Sequence, residues 1–289
     1  MKLGEKIKKL RIAKLMTQSE LAGGEITRNM LSRIEHGAAQ PSLDTLKYLA
    51  DRLGVTMGYL LSDGDDEIIY VKHTQMSNIK TSYLAGDHRI CRDMCLRLGG
   101  ESDDEIGLIL AECTLGIAIE EFEHGRLREA CEYFDLAIEA CTRTVYNTSH
   151  VFAICATYFK YMRTISATLS SNQIDENDVP IWASLSDSFC LYAGAFLSMC
   201  DKQVPMVKPH GSTPYALHIE AMEHIAAGEY RQAHNKLHEI LVSEMIVPEP
   251  MLYFIFGDLE NCCKQMEDFK GAYEYSINKV GLLQKLLTQ

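Results

Sequence analysis

The chain has 289 residues, 47% of them hydrophobic, which is enough for two packed domains. Seven prolines, one tryptophan and little β-branched clustering favour helix over sheet, and no apolar run approaches the roughly 18 residues of a membrane span. The net charge of −12 argues against a nucleic-acid partner for the chain as a whole, but residues 1–61 carry ten Lys/Arg against six Asp/Glu while residues 62–289 carry 18 against 34.

A small basic head is therefore drawn to phosphate, and the large acidic body is built to bind something else. The opening stretch, MKLGEKIKKLRIAKLM, is basic but has neither an uninterrupted apolar core nor a small-residue cleavage site. It reads as no signal peptide, so the expected location is cytoplasmic.

The first helix is expected over about Lys2 to Leu15. Leu3, Ile7, Leu10 and Leu15 form its apolar stripe, and Lys6, Lys9 and Lys14 lie outside. TQSE at 17–20 is a capping box, with Thr17 as N-cap and Glu20 at N3 of a short second helix. Gly23 and Gly24 break that helix and allow a tight turn. The third helix, ITRNMLSRIEHG, sets Arg28, Asn29, Ser32 and Arg33 in one arc and Met30, Leu31 and Ile34 in the opposite one. Arg and Asn are the side chains best shaped to read base edges, so this stretch reads as a recognition helix. Gly37 stops it. Ser42 caps a fourth helix whose core stripe is Leu43, Leu46, Leu49, Ala50 and Leu53, Gly54 ends it, and VTMGYLLS gives a short fifth.

In order and spacing, LRIAKLMTQSELA, MLSRIEHGAAQPSLDTLKYLADRLGV and YLL strongly resemble the Cro/cI-type (Xre) helix-turn-helix family. The resemblance covers the whole head, about a fifth of the chain. It implies that Gln18 bonds the phosphate backbone and buttresses the recognition helix. It implies that Thr27, Arg28, Asn29, Ser32 and Arg33 face bases or nearby phosphates. It also implies a buried ion pair between Arg11 and Glu35. The stretch from Gln18 to Glu35 is one residue shorter than in the commonest members, and the missing residue falls in the GGEIT turn.

The expected division is a head over 1–62, an acidic linker over 63–75 and a body over 76–289. The run from Asp63 to Glu67 reads as solvated; the alternative is a charge that holds the body away from DNA. In the body, FEHGRLREACEYFDLAIEA and HIAAGEYRQAHNKLHEIL align on Gly125/Gly228 and Ala130/Ala233, and QMEDFKGAYEYSINKV joins them through Ala272. These echoes look like degenerate tetratricopeptide repeats, in which small residues let paired helices approach. About five helix pairs in a right-handed α-solenoid are expected, so the fold class is all-α. The head-plus-repeat order resembles the RRNPP-type peptide-pheromone-sensing regulators of Gram-positive bacteria. That resemblance implies a cytoplasmic homodimer whose concave face binds a short imported peptide. Asn147 and Asn261, whose amides suit an extended peptide, and a cluster of Tyr158, Tyr161 and Arg163 are the candidate contacts.

Catalytic and cofactor motifs are missing: there is no glycine-rich phosphate loop, HExxH or nucleophile elbow. Ten cysteines read as reduced core residues. His88, Cys91 and Cys95, or the pair His234 and His238, have helical spacing that could hold a metal, but core packing and a solvated face are the preferred readings. The function expected is a peptide-responsive transcription regulator that binds an operator. The alternatives are a phage or mobile-element repressor under other control, and an interaction scaffold with a degenerate head.

Overall fold

Short hydroxyl side chains start the helices of the head. Thr17, Thr27, Ser42 and Thr56 each accept a hydrogen bond from the backbone N–H three residues on, at 3.1–3.2 Å. Each such cap contributes about 1 kcal/mol. The helices they start are α2 (Gln18–Ala22), α3 (Arg28–Glu35), α4 (Leu43–Leu53) and α5 (Met57–Leu61), preceded by α1 (Leu3–Ala13). The computed structural model describes residues 2–62, 65–98, 103–175 and 187–288, with the side chains of 65–69 left aside. Among these residues there are fifteen helices and no strand. The fold is all-α.

Ile7, Leu21, Leu31, Ile34, Leu46, Leu49 and Leu53 close the core of the head. Three expectations fail here. First, α1 stops at Ala13 because Leu15 adopts a positive φ of 56°, which leaves its side chain 92% exposed rather than in the stripe. Second, Leu43 is 74% exposed: as the first residue of α4 it lies a full turn before Leu46, where the core begins. Third, Lys6 does not face solvent but is fully buried. Its Nζ donates to the carbonyls of Tyr59 and Ser62 and to Ser62 Oγ, and lies 5.0 Å from the centre of the Tyr59 ring. The cation thus meets the unsatisfied carbonyl end of α5, where positive charge is favoured.

α6 (Asp65–Leu84) runs across the division between the two compact units, which falls between Thr81 and Ser82. From Asp65 onward the stretch read as a linker is therefore helical, and 63–64 lie outside the described residues. The second unit continues with α7 (His88–Arg97), α8 (Asp104–Glu123), α9 (Leu127–Cys141), α10 (Ser149–Arg163), α11 (Ser188–Cys200), α12 (Pro214–Ala226), α13 (Tyr230–Val242), α14 (Glu249–Gln265) and α15 (Phe269–Thr288). The helix read from PIWASLSDSFCLYAGAFLSMC is α11 from Ser188; its Pro180–Ser186 part lies outside the described residues.

Each helix of the second unit packs on the next. The hairpins α8–α9 and α12–α13 turn at Gly125 and Gly228, whose φ values of +76° and +77° suit glycine. The aligned Ala130, Ala233 and Ala272 are all buried, on the second helix of each hairpin, where a small side chain admits the first. The last hairpin also touches the α8–α9 pair: a Cβ at Gly125 would stand 2.5 Å from Glu249 Oε2 and 2.8 Å from Leu286. Phe122, Tyr158, Tyr161, Phe189, Tyr192 and Phe196 fill the interior, with neighbouring ring centres 4.4 Å apart at the closest pair, Tyr158 and Phe189. One polar line crosses this aromatic core. Tyr161 Oη lies 3.4 Å from Tyr192 Oη, Tyr192 Oη 2.8 Å from His218 Nδ1, and His218 Nε2 3.0 Å from Asp258 Oδ2.

Candidate nucleic-acid interface

The site on the head starts from one buried carboxylate. The Glu35 side chain, on the last turn of α3, is fully shielded. Arg11 of α1 donates to it twice, Nε to Oε1 at 2.6 Å and Nη2 to Oε2 at 3.1 Å. Gln18 of α2 donates its amide to Oε2 at 2.8 Å. A third Arg11 hydrogen bond, from Nη1, reaches the Met16 carbonyl at 2.9 Å. Burial pushes the Glu35 carboxyl up, but the donors from Arg11 and Gln18 outweigh it and hold it below the usual carboxylate range. Three helices thus meet on one anion, and the ion pair implied by the family resemblance is present.

The same carboxylate fixes the aim of α3. Leu31 and Ile34 are buried, so the opposite side of the helix must face out. Arg28, Asn29 and Arg33 are exposed there and have no ion-pair or hydrogen-bond partner among the described residues; Ser32 is half-buried. Thr27 is spent as N-cap, accepting from Met30 N at 3.1 Å, but its hydroxyl proton remains to be donated. Gln18 likewise keeps its second amide hydrogen.

The turn between α2 and α3 is held from α4 by two residues that sequence reasoning passed over. Tyr48 Oη donates to the Ala22 carbonyl at 3.0 Å, and Arg52 Nη2 to the Glu20 carbonyl at 2.6 Å. Their i, i+4 spacing at the edge of the α4 stripe was the available signal. Gly4 is a second omission. A Cβ there would lie 2.3 Å from the Ile34 carbonyl oxygen and 2.7 Å from that of Glu35, so only glycine lets α1 approach the end of α3.

Residues 7–60 match the model of the helix-turn-helix family (HTH_3). These residues are a helix-turn-helix domain. The HTH-type transcriptional activator BcrR of Enterococcus faecalis is 33% identical over 84 residues, which are 29% of this chain and 41% of that protein, so the match spans less than half of the relative. Among solved structures, Bacillus thuringiensis PlcR in complex with the peptide PapR7 and DNA aligns at 13% identity over 100% of this chain and 99% of its own, with a TM-score of 0.23. The competence regulator ComR of Streptococcus vestibularis, in complex with its cognate signalling peptide XIP, aligns at 20% identity over 97% of this chain and 98% of its own, with a TM-score of 0.26.

Outside the helix-turn-helix domain, the residues read as peptide contacts do not form one surface. Tyr158 and Tyr161 are 2% and 0% exposed, packed in the aromatic core, while Arg163 on the same helix is exposed. Helical spacing made these three look like a cluster, but two face inward because α10 is covered from several sides. Asn147 is exposed, and its Oδ1 accepts from Ser149 N at 2.9 Å at the start of α10. Asn261 is half-buried on α14, with no partner among the described residues. Cys91 and Cys95 are fully buried beside Cys113, and burial pushes the Cys95 thiol up to about 12, so it stays protonated. No described group of three His, Cys, Asp or Glu residues is placed to hold a metal, and no described helix is long and apolar enough to cross a membrane.

Proposed function

We propose that the protein is a cytoplasmic, homodimeric, sequence-specific DNA-binding transcription regulator whose repeat body binds a short signalling peptide. The observation that carries the DNA reading is the exposed row Arg28, Asn29 and Arg33, without partners among the described residues, on a helix whose rear is anchored by Arg11, Gln18 and Glu35. A head that had become a mere docking module would have no reason to keep both features. Arg33 and Arg28 reach base edges or phosphates, Asn29 suits adenine, and Thr27, Ser32 and Gln18 donate to phosphate oxygens. The described relative in Enterococcus faecalis, itself an activator by name, agrees with a regulatory role. The peptide reading rests on the repeat echoes and the domain order, with Asn147, Arg163 and Asn261 as the candidate contacts that are not buried.

The test is selection from a random duplex library with the full-length protein, repeated with synthetic peptides encoded beside the gene. Enrichment of two related half-sites, about one helical turn or 34 Å apart, supports a dimeric reader. A change in operator affinity with one peptide supports the ligand reading. Absence of any enriched sequence overturns the DNA assignment, and a strictly monomeric protein at micromolar concentration in sedimentation overturns the dimer.

A further inference from the structure

Between α7 and α9 lies a cavity of about 380 Å³ whose lining holds two opposite charges that do not meet each other. Most of the charged groups around it are already matched. Arg89 pairs with the buried Glu121 and with Glu120 at 3.7 Å, and Arg126 pairs with Glu121 and with Glu129 at 3.4 Å. Arg92 is the exception among the cations. Its guanidinium stacks on Tyr133, 5.8 Å from the ring centre, and its Nε is shielded from solvent with no hydrogen-bond partner. Glu132 is the exception among the anions, exposed at the same cavity with no partner among the described residues.

A guanidinium with no carboxylate partner among the described residues calls for a carboxylate or phosphate, met through its Nη donors. Glu129 and Glu132 on the same wall disfavour a dianionic phosphate. They favour a ligand that brings a cation along with its anion. The cavity continues past Arg92 and Leu136 into a narrow slot of about 50 Å³, with Leu96, Leu110 and Ala140 on its apolar side and Thr114 and the paired Glu139 and Arg143 on the other, all three already hydrogen-bonded within the protein. The slot admits a short aliphatic group and not an aromatic ring.

We propose that this cavity is a binding site for a free aliphatic α-amino acid. The α-carboxylate sits on Arg92, the α-ammonium faces Glu132, and the side chain enters the slot against its apolar side, Leu96, Leu110 and Leu136. The ring of Tyr133 holds the Arg92 plane in place, so little side-chain entropy is lost on binding. None of these residues belongs to the DNA-contacting set or to the candidate peptide contacts.

Calorimetric titration of the full-length protein tests this, with L-leucine and L-valine as ligands and L-phenylalanine, L-leucinamide and N-acetyl-L-leucine as controls. Leucine or valine binds. Leucinamide, which lacks the carboxylate, and N-acetyl-leucine, which lacks the ammonium, each bind at least about tenfold more weakly, the value of one charge-assisted hydrogen bond. Phenylalanine does not bind. Arg92→Gln loses leucine binding, and Glu132→Gln, a change at an exposed position that folding tolerates, removes the preference for leucine over its N-acetyl form. No heat from leucine or valine at millimolar concentration overturns the proposal. So does leucinamide binding as tightly as leucine, a result that stands on the unaltered protein.

Discussion

Replacing Arg11 by alanine isolates the carboxylate on which three helices of the head converge. The change removes both guanidinium bonds to Glu35 and the bond to the Met16 carbonyl, and leaves Glu35 with Gln18 alone. Removing one partner of a buried pair costs about 3–5 kcal/mol because the other charge stays buried. Gln18 remains and the Arg11 side chain is 12% exposed, so the expected loss lies at the low end, near 3 kcal/mol. A head of this length commands only about 3–9 kcal/mol in total, at about 0.05–0.15 kcal/mol per residue. The variant head should therefore be marginal at 25 °C while the body stays folded. Hydrogen exchange of the α3 amides in the full-length protein, compared with those of α8 and α14, reads this directly. The double variant Arg11→Met, Glu35→Leu should recover most of the loss, since no charge is left buried. Acid adds a second readout. The Glu35 carboxyl is held below its ordinary range, so in the unfolded chain it takes up a proton first as pH falls, and the folded state is penalised. Its contribution is complete above about pH 4.3 and is lost as pH falls through its lowered value. If Arg11→Ala leaves α3 protection within 1 kcal/mol of the parent, or if the double variant is no better than the single, the buried-anion account is wrong.

Arg33→Ala should relax base preference at one step of each half-site, the bidentate contact being worth about 1–3 kcal/mol, whereas Gln18→Ala should weaken all sequences alike; a randomised operator library separates the two. A uniform loss for Arg33→Ala would make it a phosphate contact. Gly4→Ala should destabilise the head by at least about 1–3 kcal/mol, because its Cβ would meet the backbone of α3, which cannot step aside; chemical denaturation measures it. Tyr192→Phe should cost the body about 1–3 kcal/mol by stranding His218 Nδ1 in the core, seen as a lowered melting temperature. Leu15→Ser and Leu43→Ser should change stability by less than about 0.5 kcal/mol despite their apolar spacing, since both side chains already face water.

How far the sequence could be read follows the range of the interactions involved. The caps at Thr17 and Ser42 are local bonds from a backbone amide to a hydroxyl, so these two helix starts were legible, whereas the same bond at Thr27 was read only as a DNA contact and that at Thr56 was passed over. The pair Arg11–Glu35 was legible only through resemblance, because its members are 24 positions apart. Lys6 was misread because helical spacing says nothing of what lies across a gap of more than fifty residues, where the α5 carbonyls wait. Leu15 was misread because a positive φ, which apolar patterning does not register, ends α1 before it. In the body, Gly125, Gly228 and the three aligned alanines revealed the hairpins, since turns and close helix pairs are local. Tyr158 and Tyr161 went wrong for the opposite reason: amphipathic tyrosines suit a rim or a core, and only the neighbouring helices decide which.

The contact that Glu249 and Leu286 make beside Gly125 has a consequence for how the body can come apart. In an open row of hairpins, each unit leans on its neighbours alone, so an end can fray or be trimmed while the rest survives. Here the first complete hairpin and the last share a surface although about 107 residues of chain, 142–248, separate them. Loss of α15 therefore strips α9 as well as α14, and the damage enters from both ends of the row at once. This contact can form only after distant parts of the chain have found each other, which makes folding slow and melting abrupt. A truncation at Gln265 should thus not yield a shorter working body but a chain that loses its aromatic interior altogether.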